Sequence, residues 1–272
     1  MNKTIPESFL NDVKWKLLYE SLNNCFNVKY NIKSEYYELY KIGGRQNNYD
    51  FILKIFTDSN KTKIKKEHKI EFKFNQSLFK MPQLGQWSLK QNYFENNISY
   101  IEYYYDNYFK KCMEHYVTQN DNHLNIIEKE SYLKEVCQSA SNKLKQYKEY
   151  YKLNDKFSKD CKTNANNSIS SFLKNNKIDL SKFVNPFEVQ LEKDFLFYDI
   201  KKSTFTIANF KNTDFEINTE PLIKSKSVEY ISKSNKKIEF RVCWKNCNGV
   251  CNPAIKLAIK NNIKSKKNHK LE

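Results

Sequence analysis

The spacing of apolar residues changes several times along the chain, and each change predicts a different element. Over residues 8–23, Phe9, Val13, Leu17 and Leu18 recur at near-helical spacing, with Lys16 and Glu20 elsewhere on the wheel. That pattern predicts a first helix. Residues 36–42 form a short aromatic run that predicts a strand, and Gly43-Gly44 marks a turn. Residues 49–56 (YDFILKIF) are almost continuously apolar, the mark of a buried central strand. Residues 57–67 are polar and lysine-rich, which predicts a hairpin-like loop. Residues 69–74 (KIEFKF) alternate strictly and predict a strand with one apolar and one charged face.

Beyond an irregular stretch at 82–87, residues 98–150 are mostly helical in pattern and carry a tyrosine cluster at Tyr103, Tyr104, Tyr105 and Tyr108. Residues 155–168 are polar and read as a linker or exposed loop. After Pro186 the period returns to two. Residues 195–198 and 204–208 predict a hairpin, and 238–244 another strand. Asn252-Pro253 then predicts the start of a last helix, with Asn as N-cap and Pro in the first turn, before a basic run that follows Asn261.

Helix, strands, helices, strands, helix is the order of an α/β or α+β chain whose sheet draws on both ends of the sequence. The expected division is 1–97 as the N-terminal part of a core, 98–185 as a helical insertion with linker, 186–263 as strands and helix completing the core, and 264–272 as a basic tail.

Composition narrows the function. A hydrophobic fraction of 39% permits a buried core and argues against wholesale disorder. Only 4 Gly and 5 Pro punctuate 272 residues, so long elements are expected rather than many tight turns. Lys and Arg outnumber Asp and Glu by 47 to 31, a net charge of +16. Such an excess suits a polyanionic partner, because basic side chains displace counterions from phosphate. An A/T-rich genome would also load a protein with Lys, Asn, Ile and Tyr, all abundant here, so the charge excess alone supports nucleic-acid binding only in part. The seven cysteines are an odd number in a long chain and read as free thiols in an intracellular, reducing setting, cytoplasmic, nuclear or viral. No apolar run approaches the ~18 residues that span a bilayer.

The candidate chemistry centres on Asp50 and Glu71-Phe72-Lys73. Residues i and i+2 of a strand share a face, so Glu71 and Lys73 point together while Ile70, Phe72 and Phe74 point into packing. Asp50 heads the preceding strand, and a hairpin pairing brings it beside Glu71. Two carboxylates and the Phe72 carbonyl make an oxygen site of the kind Mg²⁺ prefers, with Mn²⁺ as a substitute. The lysine reaches the attacked phosphate or the nucleophilic water. The same (Asp/Glu)-x-Lys pattern recurs at Asp12-Lys14, Glu67-Lys69, Asp160-Lys162 and Asp199-Lys201. Asp199-Lys201 is the serious competitor, but no apolar strand headed by an acid lies just upstream of it. A solvated edge strand with a charged face is the plain structural alternative.

The segment 43–87, with Asp50 heading its strand and Glu71-Phe72-Lys73 on the next, resembles the PD-(D/E)xK nuclease superfamily, over about a fifth of the chain. It also looks like the nuclease-like proteins of large A/T-rich DNA viruses and mobile elements. Tyr49 stands where the family's proline is usual, and the Asp50–Glu71 separation requires the 57–67 loop to protrude. The resemblance implies a restriction-endonuclease-like fold, a mixed central sheet flanked by helices, and a Mg²⁺-dependent, site- or structure-specific DNA endonuclease. Asp50 and Glu71 would be metal ligands and Lys73 a catalytic cation. It further implies an accessory acid, for which Glu20, Glu35 and Glu38 are candidates, and a polar residue after the lysine strand, Gln83 or Gln86. The other readings kept open are a non-catalytic nucleic-acid-binding protein with a degenerate nuclease fold, and a nuclease directed at RNA. A homodimer is compatible with each.

Weaker signals carry less. Cys243, Cys247 and Cys251 are spaced by four but lack a fourth zinc ligand nearby. Arg45 is a candidate DNA contact, and Lys245, Asn246 and Asn248 are candidate phosphate contacts at the N-terminus of the helix expected after Asn252. The tyrosine cluster suits core packing better than base stacking. The four histidines have no nuclease or protease spacing, and no phosphate-binding G-x-x-x-x-G-K-[ST] loop is present.

Overall fold

A computed structural model describes residues 13–42, 49–74, 83–119, 124–138, 143–199, 201–202, 204–211, 213–217 and 219–261. In chain order, helix α1 (Val13–Tyr30) precedes β1 (Tyr37–Lys41), β2 (Phe51–Phe56), β3 (Ile64–Phe74) and β4 (Gln83–Ser88). A helical run follows: α2 (Tyr100–Tyr104), a π-helical turn (Tyr105–Phe109), α3 (Lys110–Thr118), α4 (Lys129–Glu135), α5 (Lys145–Leu153), α6 (Asp155–Asn175) and α7 (Val184–Leu191). Strands β5 (Asp194–Asp199), β6 (Thr204–Asn209), β7 (Leu222–Ile223), β8 (Ser227–Ile231), β9 (Lys236–Asn246) and β10 (Cys251–Asn261) complete the chain. The protein is mixed α and β, with a mixed sheet and an antiparallel one.

The chain divides into two compact units, residues 1–82 with 187–213 and residues 83–186 with 214–272. The first contains the mixed sheet in the order β1-β2-β3-β5-β6. β1, β2 and β3 are antiparallel neighbours, β5 runs parallel to β3, and β6 returns antiparallel. Helix α1 covers one face. Its Leu22 and Phe26, one turn apart, are fully buried against Leu53, Ile70, Leu196 and Ile207. Asn31 ends the helix in the left-handed region, at φ 54°, which asparagine tolerates better than most residues. Alternation along β2 and β3 puts Phe51, Leu53 and Ile55, then Ile70 and Phe72, into this core. Truncating Leu53 to alanine is expected to cost about 2–5 kcal/mol.

The second unit has its own antiparallel sheet, β4-β10-β9-β8-β7. Its helices pack through aromatic rings: Tyr100, Tyr104, Tyr132 and Tyr147 are all buried. Tyr104 and Tyr105 therefore serve as core, and their hydroxyls are satisfied by the carbonyls of Gly249 and Ile127 at 2.9 and 2.7 Å.

Several sequence expectations are corrected. Residues 155–168 lie within the long helix α6, capped by the Asn154 side chain accepting from Phe157 N–H at 2.9 Å. Their small and polar residues hide a buried stripe of Phe157, Cys161, Ala165, Ile169 and Phe172 at helical spacing. The loop expected over 57–67 is confined to 57–63, where Asp58 accepts from the Thr62 N–H and hydroxyl at 3.1 and 2.8 Å. From Ile64 the charged residues already belong to β3, with Glu67 opposite Lys54. Residues 83–88 form β4 rather than an irregular stretch. The helix expected after Asn252 is strand β10 instead: Asn252 takes φ 57°, and Ile255, Leu257 and Ile259 are all buried between β4 and β9. Pairing on both edges with burial of an i, i+2 row outweighs a local capping signal.

Candidate active site

In the first unit, Asp50 sits just ahead of β2, where its N–H donates to the Ile70 carbonyl and its carbonyl accepts from Ile42, both at 2.9 Å. One residue beyond the Phe51–Ile70 pair, Asp50 stands across from Glu71. Its Oδ2 accepts a hydrogen bond from the Phe72 N–H at 2.7 Å, so backbone geometry fixes the carboxylate beside the Glu71–Lys73 segment. Because Phe51, Ile70, Phe72 and Asp194 face α1, Asp50, Glu71 and Lys73 point to the opposite side of the sheet.

Glu71 is gripped by two lysines. Lys73 Nζ lies 2.8 Å from Oε1, and Lys193 Nζ lies 3.5 Å from Oε2. Lys193 comes from the segment between α7 and β5. It is 2% exposed and also donates to Gln190 Oε1 at 2.8 Å. Lys73 further lies over the Phe195 ring, 5.8 Å from its centre. Asp50, Glu71, Lys73, Gln190 and Lys193 therefore converge from three adjacent strands and the end of one helix.

The electrostatics differ by residue. Burial pushes the Asp50 carboxyl above the usual carboxylate range; the Phe72 N–H opposes this, Glu71 adds to it, and the two lysines oppose it. Burial pulls Lys193 below the usual lysine range. Glu71 opposes that shift and Lys73 reinforces it. The cluster thus holds one carboxyl and one ammonium that are both costly to ionise, a pattern typical of functional sites and also of structural ion-pair networks.

A second cluster lies on the α1 side of the same strands. Asp194 Oδ2 is 2.7 Å from His68 Nδ1 and accepts from the Tyr30 hydroxyl at 3.0 Å, and Asp194 Oδ1 accepts from Asn209 Nδ2 at 3.2 Å. Burial works against ionising Asp194, but His68, Tyr30 and Asn209 together hold its carboxyl below the usual range.

Other sequence candidates fall elsewhere. Glu38 pairs with Lys61 at 3.1 Å and accepts from the Tyr40 hydroxyl. It stands opposite Lys54, four strand positions from Asp50 or about 13 Å along the sheet, so it does not join the cluster. Glu35 lies in the short 3₁₀ turn Ser34–Tyr36. Glu20 is in α1, with its side chain outside what is described, and Arg45 lies outside the described residues. Gln83 and Gln86 belong to β4 of the second unit, where their side chains meet at 3.4 Å. Asp199 ends β5 and accepts from the Lys201 N–H at 3.0 Å, which makes that Asp-x-Lys pair a turn. Lys245 and Asn248 are exposed around the β9–β10 turn of the second unit, where the Asn248 N–H donates to the Tyr151 hydroxyl at 3.2 Å. No helix begins there, so the helix-terminus phosphate site expected around them is withdrawn.

Lys193, Gln190 and the His68–Asp194 pair were missed in the sequence. The one available signal was Lys193-Asp194 directly ahead of the apolar run 195–198, a charged head on a buried strand like Asp50 on β2. Among the described residues, no group of three or more His, Cys, Asp or Glu is arranged to hold a metal, and no helix is long and apolar enough to cross a membrane. In comparisons with known proteins, no family model, curated protein or solved structure matches this chain.

Proposed function

We propose that the Asp50 face of the first sheet hydrolyses phosphodiester bonds in DNA with the help of a divalent cation, in the manner implied by the PD-(D/E)xK resemblance. The observation carrying this reading is the Asp50 carboxylate, held by the Phe72 N–H opposite Glu71, with Lys73 and Lys193 alongside. The mixed sheet, with Asp50 at the head of a central strand, is consistent with a restriction-endonuclease-like core.

The donor set fits Mg²⁺. Asp50 and Glu71 supply carboxylate oxygens, and the Phe72 carbonyl leaves β3 on the same edge as its N–H, toward Asp50. The raised Asp50 carboxyl supports the fit, because a nearby dication favours its ionised form. When bound, such an ion supplies Lewis acidity and a more acidic water. The chain's own groups do the rest. Asp50 and Glu71 would hold the cation beside the scissile phosphate. Lys73 steadies the charge that develops on it. Lys193, whose charge is disfavoured by burial, gains most from an incoming phosphate and shares that role.

The ion pairs of Glu71 with both lysines also suit a second reading, a nucleic-acid-binding protein in which the site is inert. The test is incubation of the protein with plasmid, linear duplex and RNA in Mg²⁺, together with Mn²⁺ titration by calorimetry. The expected result is DNA cleavage that stops in EDTA, and Mn²⁺ binding that is lost in Asp50→Ala. Cleavage undiminished in chelator would sink the metal mechanism. Binding of DNA with neither cleavage nor Mn²⁺ uptake would favour the inert reading, and cleavage of RNA alone would move the substrate class.

A further inference from the structure

The second unit contains a pair of neighbouring thiols that the proposed phosphodiester chemistry does not use. The turn joining β9 to β10 runs through Cys247 and closes at Cys251. Its backbone folds on itself: the Val250 N–H donates to the Cys247 carbonyl at 2.8 Å, and the Cys251 N–H reaches the same carbonyl at 3.4 Å. An i→i+4 closure of this kind brings the two α-carbons into the range of about 4.4–6.8 Å that a disulfide requires. The two thiols are therefore close neighbours across the turn, and the Cys251 thiol donates to the Asn246 carbonyl at 3.9 Å.

The turn is also held rigidly. Gly249 takes φ 84°, and a Cβ there would come within 2.4 Å of the Cys161 carbonyl oxygen, so only glycine allows the turn to dock against α6. The Tyr104 hydroxyl donates to the Gly249 carbonyl at 2.9 Å, and the Tyr151 hydroxyl accepts from the Asn248 N–H at 3.2 Å.

The two sulfurs are unequal. Cys247 is half-buried, whereas Cys251 is fully buried. The neighbouring Cys251 thiol, against the opposing effect of burial and with help from the ammonium groups of Lys152 and Lys148, lowers the Cys247 thiol to about 7. Cys251 is pushed up by the neighbouring Cys247 thiol and by burial. A more acidic, accessible thiol next to a buried partner is the arrangement of a nucleophilic and a resolving cysteine. The other neighbouring pair of thiols, Cys112 and Cys161, is buried on both sides, and burial raises Cys25 and Cys137.

We propose that Cys247 and Cys251 form a peroxide-responsive dithiol, with Cys247 attacked first and Cys251 resolving it. The Cys247 thiolate attacks one oxygen of hydrogen peroxide, breaking the O–O bond and forming a sulfenic acid; the departing hydroxide leaves as water with the thiol proton. The Cys251 sulfur then attacks the Cys247 sulfur and expels the sulfenic oxygen as a second water. Two thiols are oxidised by two electrons and one peroxide is reduced to two waters. A thiol reductant restores the pair by exchange. The proposal does not depend on the nuclease reading.

The test uses the full chain. At pH 7, a thiol at about 7 is about fifty-fold more ionised than one at 9.0, and its lower intrinsic nucleophilicity takes back about tenfold, so Cys247 should be alkylated about fivefold faster than an ordinary thiol. After treatment with equimolar hydrogen peroxide and quenching with iodoacetamide, the tryptic peptide from Asn246 to Lys256 should carry no alkyl groups and lack two hydrogen atoms. Dithiothreitol should restore two labels. In Cys251→Ser, which keeps the turn hydrogen bonds of the backbone, Cys247 should stop at a sulfenic acid that dimedone traps. The proposal is overturned if this peptide retains two labels after peroxide while other cysteines are lost. It is equally overturned if Cys251→Ser gives no dimedone adduct on Cys247.

Discussion

Two aspartates, Asp194 buried and Asp50 half-buried, head neighbouring parts of the same sheet, and their surroundings differ. Asp194 begins β5 on the α1 side, and its two oxygens are met by His68, Tyr30 and Asn209. Asp50 precedes β2 on the other side, and its carboxylate accepts from the Phe72 N–H at 2.7 Å while facing Glu71. The first carboxyl is held below its usual range and the second above it. A buried carboxylate whose partners satisfy it contributes to stability. One that is half-buried facing another acid is a cost to the fold, of the kind found in functional sites and in structural ion-pair networks alike.

The sharpest way to break the comparison is activity. Under the proposed function, Glu71→Ala and Lys73→Ala should lower DNA cleavage by about a thousandfold or more while leaving gel-shift affinity nearly unchanged, because duplex binding is spread over many lysines. Asp199→Ala and Lys201→Ala should cleave like wild type. A dead Lys201→Ala beside an active Lys73→Ala would move the site to the β5–β6 turn.

Stability should divide the two aspartates in the opposite way. Asp194→Ala strips His68, Tyr30 and Asn209 of their shared acceptor and should cost about 3–5 kcal/mol in urea unfolding. Asp50→Asn should be neutral or stabilising at pH 7. The pH dependence carries the sign. Asp194, with its carboxyl lowered on folding, favours the wild type over Asp194→Asn above about pH 4, and this advantage is lost as pH falls through the lowered pKa. Asp50, with its carboxyl raised on folding, favours the wild type over Asp50→Asn only below about pH 4, and this advantage is lost as pH rises through the raised pKa. Parallel profiles for the two variants would erase the distinction.

A smaller effect is expected at Lys193. Lys193→Met keeps the volume but leaves Gln190 Oε1 and Glu71 Oε2 without its ammonium, so folding stability should fall by about 1–3 kcal/mol. Cleavage should fall by about tenfold to a hundredfold, mainly in kcat, if the ammonium meets the phosphate in the transition state. An unchanged kcat would make Lys193 a packing residue that steadies Glu71.

Period and local chemistry in the sequence determined a good deal. The near-continuous apolar run at 51–56 and the alternation at 69–74 are β2 and the end of β3, and the i, i+2 rule places Glu71 and Lys73 on one face. Asp50 next to Phe51 is a one-residue matter, and hairpin pairing of consecutive strands is common enough to be read locally. Other features depended on tertiary structure. Lys193 joins the cluster because β5, more than a hundred residues away, pairs parallel to β3 with Phe195 beside Glu71. No local pattern encodes a pairing between strands so far apart in the sequence. His68 and Asp194 meet for the same reason, through the Ile70–Asp194 pairing. The polar stretch at 155–168 is a helix whose Phe157, Asp160 and Ser168 meet Tyr147, Tyr116 and Tyr100, brought in from elsewhere. Residues after Asn252 are a strand because β4 and β9 supply hydrogen bonds on both edges. Burial and pairing each contribute more free energy than a single cap, about 1 kcal/mol, can set against them.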